Sequence, residues 1–224
     1  MSPSKTRYAD DSWSSRFVYV VIRSLVCGLT RLITRLKIEG QENLPPTGAY
    51  VLAPVHRSYV DTPIIACLTS RRLRFMAKQE VWDNRPAGWL VSALGAFPVK
   101  RGTVDREAFN RCIMALEGGE PVVLFAEGER KDGPLIQPLF DGAAYIASRA
   151  GVPIIPVGIG GSARVMPRHA KMIYPKKVHV VIGKPIYPQL NGSGRASRKA
   201  VAAVTEQLSE DLQRLFDAAQ SRVG

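Results

Sequence analysis

Pro121-Val-Val-Leu-Phe125, Asp141-Gly-Ala-Ala-Tyr-Ile-Ala-Ser-Arg149 and Val152-Pro-Ile-Ile-Pro-Val-Gly-Ile159 decide the fold. The first and last are short apolar runs bounded by turn residues, as expected of strands buried on both faces of a parallel sheet. The middle one reads as a helix capped by Asp141. Upstream the alternation continues, with a helix over 105–116, a strand over 96–99, and one or two helical pieces over 81–94 interrupted at Pro86. Further up, strands are expected over 73–77, 49–53 and 36–40, with a buried helix over 64–68 and a turn-rich connection over 41–48. Downstream, residues 177–182 read as a late strand. Val201, Val204, Leu208, Leu212 and Leu215 form the apolar stripe of a last helix, facing either the sheet or a membrane. The pattern predicts an α/β fold: a single domain with a mostly parallel sheet flanked by helices, preceded by an N-terminal amphipathic helix.

A chain of 224 residues can bury a substantial core. Cys27, Cys67 and Cys112 are odd in number and widely spaced, which fits small core residues in a reducing compartment better than a disulfide framework or a metal cluster. A net charge of +12 favours an anionic partner, whether nucleic acid, an acidic lipid surface or a phosphorylated substrate. Zinc-finger spacing, aromatic ribonucleoprotein motifs and an obvious recognition helix are all missing from the sequence, so nucleic acid is not expected.

The N-terminus points to lipid. Val18, Val21, Ile22, Leu25, Val26, Leu29, Leu32, Ile33 and Leu36 gather on one side of a helix, and Arg23, Thr30, Arg31, Thr34 and Arg35 on the other. The longest uncharged run between Phe17 and Leu36 is seven residues, 24–30. A spanning helix needs about 20, so the segment is expected to lie on a membrane or pack on a core rather than cross a bilayer. It also lacks the apolar block and cleavage site of a signal peptide. Residues 1–40 are therefore read as a tail with an amphipathic helix, on a membrane or on a core, and 41–224 as the functional domain.

The chemistry gathers at strand ends, where open α/β sheets place their ligands. The strand over 49–53 delivers His56, and Asp61 follows five residues later as the expected N-cap of the next helix. An imidazole can take a hydroxyl proton near neutral pH, and a carboxylate on its other nitrogen fixes its tautomer. The strand over 96–99 ends in Lys100 and Arg101, a point charge beside a planar guanidinium suited to phosphate. The strand over 121–125 breaks into Glu127-Gly128-Glu129-Arg130. There Gly128 would let backbone N–H groups approach an anion and Arg130 would supply charge, while Glu127 would bond an acceptor hydroxyl or brace Arg101 or Arg130.

Taken together, His56-Arg-Ser-Tyr-Val-Asp61, Gly95-Ala-Phe-Pro-Val-Lys-Arg101, Phe125-Ala-Glu-Gly-Glu-Arg130 and Val152-Pro-Ile-Ile-Pro-Val157 resemble, in order, four blocks of the glycerolipid acyltransferase family. These are H-x-x-x-x-D, G-x-x-P-V-x-R, F-P-E-G-x-R and V-P-[IV]-[IV]-P-V. Phe75-Met-Ala-Lys78 and Glu80 are similar to the family's segment between the first two. The sequence departs from the family at Val55, Ala126, Glu129 and Asp141. The resemblance implies a PlsC-like 1-acyl-sn-glycerol-3-phosphate acyltransferase without cofactor or metal. In that reading His56 is the base and Asp61 its orienter, and Lys100, Arg101, Glu127, Gly128 and Arg130 hold the acceptor. Acyl-coenzyme A or acyl-acyl carrier protein is the donor, a lysophospholipid the acceptor, and the cytoplasmic face of the cell membrane the expected location. Apolar residues including Trp82, Trp89 and Leu90 are expected at the acyl chain or in the core. Two alternatives stay open: another lyso-lipid acceptor, suggested by Glu129 and Asp141, and a non-catalytic basic protein that binds membrane or nucleic acid.

Overall fold

A computed structural model describes residues 13–99, 105–167, 170, 172–190 and 196–224. The apolar runs become seven strands: β1 (Lys37–Glu39), β2 (Val51–Pro54), β3 (Arg74–Lys78), β4 (Ala96–Val99), β5 (Val122–Val123), β6 (Ile154–Gly160) and β7 (His179–Ile182). They form one sheet ordered β1-β7-β6-β2-β5-β3-β4. The five strands from β6 to β4 run parallel, with Val51 of β2 in register with Val122 and Ile154. β7 turns back antiparallel against β6, pairing Val157 with Ile182, and β1 follows β7 in parallel. The expected mostly parallel sheet is present, and it begins with β1, ahead of the boundary placed at residue 40.

The helices are α1 (Trp13–Thr34), α2 (Asp61–Ala66), α3 (Arg85–Ala93), α4 (Arg106–Glu117), α5 (Gly142–Ala150), α6 (Ser162–Val165) and α7 (Arg198–Ser221). Pro86 opens α3 rather than breaking it, because Asn84 caps the helix by accepting Ala87 N–H at 3.0 Å. Asp105 caps α4 in the same way through Ala108 N–H at 3.0 Å. Asp141 stands at the N-cap of α5 but makes no capping bond. Its carboxylate instead accepts the Thr205 hydroxyl of α7 at 2.7 Å, a contact between helices that outcompetes the local one.

The apolar stripe of α7 faces the sheet: Val201, Val204, Leu208, Leu212, Leu215, Phe216 and Ala219 are buried. The approach is close enough to require glycine in β6. A Cβ at Gly158 would overlap the Leu215 carbonyl, and one at Gly160 would overlap that of Ala219. Gly158→Ala is expected to lower unfolding free energy by about 3 kcal/mol through overpacking, read as a shift in the urea midpoint. Past the end of α7, Arg222 pairs with Glu39 of β1 at 2.8 Å, and the guanidinium holds that carboxyl below the usual range. All three cysteines are buried and unbridged, and burial pushes the thiols of Cys67 and Cys112 up to about 12. All three are core residues, as expected.

α1 is turned inside out relative to a soluble surface helix. Tyr19, Cys27, Thr30 and Thr34 face the protein and are buried. Tyr19 donates to Arg71 O at 3.3 Å, and Arg23 bonds Ala66 O at 3.1 Å and Thr69 O. The outward side carries Phe17, Val20, Val21, Leu25 (70% exposed), Leu29 and Leu32 (78% exposed). The polar stripe therefore seats the helix, and the leucines of the apolar stripe are left uncovered by the described residues. By length and composition the window Phe17–Thr34 would suffice to cross a membrane. The expectation drawn from its short uncharged run thus rests on two charges, Arg23 and Arg31, which interrupt the run without making the segment polar.

Candidate active site

Strand β2 ends at Pro54, Val55 N–H donates to Val157 O of β6 at 3.0 Å, and the chain then leaves the sheet at His56. Asp61 is the first residue of α2, one position inside the expected cap; Val60 takes that place with no side-chain bond. The Asp61 carboxylate points back into the loop. Its Oδ2 lies 2.9 Å from His56 Nδ1 and accepts the N–H groups of Arg57 and Ser58, each at 2.7 Å. Three donors converging on one buried oxygen explain why Asp61 does not cap its helix: the carboxylate is committed to shaping the turn that carries the imidazole.

The ring is held on its other side as well. Phe125, following β5, stacks on His56 with centroids 3.8 Å apart and planes at 21°. Once Nδ1–H donates to Asp61, Nε2 is the basic nitrogen, and the ring plane that aims it is fixed by Phe125. This is the arrangement of a general base with an orienting carboxylate.

The seat beneath His56 is a second charged pair. Arg57 and Glu127 are 3% and 1% exposed, and Arg57 Nη1 meets Glu127 Oε2 at 2.6 Å. The same guanidinium donates to His56 O at 3.0 Å and Leu135 O at 3.2 Å, and lies 5.0 Å above the Phe216 ring. Glu127 in turn accepts His56 N–H at 3.2 Å and Gln137 N–H at 3.2 Å. Both of its oxygens are engaged, so among the described residues Glu127 braces Arg57 and the backbone of His56. Gly128 has φ 74°, which a side chain would resist, and a Cβ there would press on Phe140. Its own N–H closes the turn onto Phe125 O at 2.9 Å and is not presented to an anion.

Arg130 is placed differently. Its guanidinium lies 3.7 Å over the ring of Tyr59, within the His56–Asp61 loop, and its buried Nε has no hydrogen-bond partner among the described residues. A cation fixed by stacking with a donor unspent suits a phosphate. Lys100 and Arg101 lie outside the described residues.

A family model described as Acyltransferase matches residues 35–160, which contain every residue of this site but Phe216. The chain belongs to the acyltransferase family. Among its relatives, the acyltransferase is 29% identical over 182 residues to the 1-acyl-sn-glycerol-3-phosphate acyltransferase of Bacillus subtilis, covering 80% of this chain and 87% of that one. It is 32% identical over 156 residues to a chloroplastic 1-acyl-sn-glycerol-3-phosphate acyltransferase of Brassica napus, covering 67% of this chain but only 44% of the plant protein. The crystal structure of the 1-acyl-sn-glycerophosphate acyltransferase of Thermotoga maritima superposes with a TM-score of 0.77 at 23% identity, covering 93% of this chain and 82% of that one, which establishes a shared fold.

The acyltransferase site also contains groups that the sequence did not single out. Arg57 gave no signal beyond its place next to His56, and Ser58, whose hydroxyl donates to Met166 O at 2.7 Å, gave none. Phe125 was legible only as a strand residue. The apolar residues considered for the acyl chain divide: Trp82 bonds Ser92 of α3 at 2.9 Å, whereas Trp89 and Leu90 stand exposed on α3.

Proposed function

We propose that the chain acylates the free hydroxyl of 1-acyl-sn-glycerol-3-phosphate, giving phosphatidic acid, while docked peripherally on the cytoplasmic face of the cell membrane. The observation that carries the reading is the His56–Asp61 pair at 2.9 Å, with Arg130 stacked on the same loop through Tyr59. His56 Nε2 removes the proton from the acceptor hydroxyl, and the oxygen attacks the carbonyl carbon of the thioester. The C–O bond forms, the C–S bond breaks, and the proton held by the imidazolium passes to the departing thiolate. Asp61 keeps the imidazole in the required tautomer and offsets its transient charge; base catalysis by His56 of this kind contributes about 10²–10⁴-fold. Arg130, with Lys100 and Arg101, holds the acceptor phosphate. The donor is acyl-coenzyme A or an acyl carrier protein, and an acidic carrier would suit a chain of net charge +12.

Peripheral docking is supported by the way α1 is held. Its contacts with the protein run from Tyr19 through Arg23 to Thr34, whose carbonyl accepts Val178 N–H at 2.9 Å. A helix fastened along its length cannot also cross a bilayer without breaking those bonds. Its uncovered leucines can instead enter the acyl boundary while it lies in the surface plane.

Release of free thiol, measured against a panel of acceptors, tests the reading. 1-Acyl-sn-glycerol-3-phosphate is expected to be preferred over lyso-lipids bearing sugar or amino-acid head groups; preference for one of those would overturn the acceptor assignment. In the same assay Arg130→Ala is expected to raise the acceptor KM about 10- to 100-fold with a smaller change in kcat, and Arg130→Lys to recover part of it, as for loss of a charge-assisted bond.

A further inference from the structure

The connection from α6 to β7 carries Met172 (66% exposed), Ile173 and Tyr174 side by side at the surface, followed by exposed Lys176 and Lys177. Adjacent uncovered apolar side chains of this kind mark a contact surface. The connection is tied to α1 and to the His56–Asp61 loop, the two parts of the molecule that the proposed docking sets against lipid. At its start, Met166 O accepts the hydroxyl of Ser58 in the catalytic loop at 2.7 Å, and Tyr174 N–H returns to Val165 O at 2.7 Å. At its end, Val178 N–H donates to Thr34 O, the last residue of α1, at 2.9 Å, and Val178 O accepts Lys37 N–H at 3.1 Å. Arg35 and Lys37, both exposed, stand at this junction.

We propose that residues 172–174 are a second membrane-insertion element, entering the same anionic bilayer surface as the outward face of α1, with Lys176 and Lys177 on the lipid phosphates. The proposal rests on the peripheral docking proposed above and adds what a single helix cannot supply. A helix lying in the headgroup layer leaves the protein free to roll about the helix axis. A second point of entry, joined to the catalytic loop through Met166 and to α1 through Val178, fixes that rotation and sets the mouth of the site against the lipid. An apolar tip next to paired lysines matches the boundary between acyl chains and anionic head groups, and its connection is hydrogen-bonded to the end of α1, which favours a bilayer over a soluble partner.

The test uses the full chain and flotation on phosphatidylcholine vesicles containing phosphatidylglycerol. Met172→Ser with Ile173→Ser is expected to weaken vesicle binding about tenfold, given the apolar groups withdrawn from lipid. Both side chains are exposed, so the unfolding midpoint stays in place and transfer to a water-soluble short-chain acceptor is unchanged, while transfer to a bilayer-borne acceptor falls. Leu25→Ser with Leu32→Ser is measured alongside. Wild-type flotation by the loop variant with loss in the α1 variant overturns the second insertion element and leaves peripheral docking standing. Wild-type flotation by both overturns the two together.

Discussion

Asp61→Asn is expected to lower kcat about 10³-fold, with the acceptor KM little changed and the fold retained. The amide is the size of the carboxylate, and its oxygen can still accept the N–H groups of Arg57 and Ser58 that shape the turn. That oxygen also meets His56 Nδ1, since all three donors converge on Oδ2, so the NH₂ takes the place of Oδ1 and the ring keeps its tautomer. What is lost is the negative charge that offset the imidazolium as the proton is taken up. His56→Ala falls at least as far. Single-turnover measurement of thiol release checks both, and near wild-type turnover by either variant would remove the pair from the chemistry.

Glu127→Gln is expected to produce the largest stability loss, about 3–5 kcal/mol, because it strands the buried Arg57 guanidinium without its counter-charge. For a chain of this size that corresponds to a fall of about 10 °C in Tm, readable by thermal unfolding. Turnover falls as well, since the same carboxylate accepts His56 N–H. Adding Arg57→Met to Glu127→Gln recovers much of the lost stability: the uncompensated charge is gone, and the amide oxygen still serves one of the backbone donors. Additive losses in the double variant would show that the two residues stabilise the fold independently.

These two sites differ in how far the sequence could announce them. His56 and Asp61 are five residues apart on one turn, so their meeting is a local matter that spacing captures. Arg57 and Glu127 are separated by 70 positions and meet only because β2 and β5 are neighbours in the sheet. A reader of the sequence could see that Glu127 needed a cation but would look to the arginines of the neighbouring motifs. The strand–helix alternation gave the layers and most of the sheet. The direction of β7 was not legible, because a four-residue apolar run carries the same pattern whichever way it runs. For α1 the periodicity gave two faces without saying which environment each would meet. The bonds of Arg23 and Tyr19 to the segment after α2 decide that, and they are tertiary.

Phe216 gives the boundaries of the catalytic unit a different meaning from the boundaries of family likeness. The family match ends at residue 160, but the guanidinium that seats His56 rests on a ring in α7. Gln213 of the same helix receives Ile136 N–H at 2.8 Å and donates to Pro134 O at 3.1 Å, fixing the strap that runs alongside Glu127. The ancestral motifs are thus completed by a terminal segment outside their own signature. A fragment trimmed to the recognisable blocks would keep every residue proposed for the chemistry and lose the floor on which His56 stands.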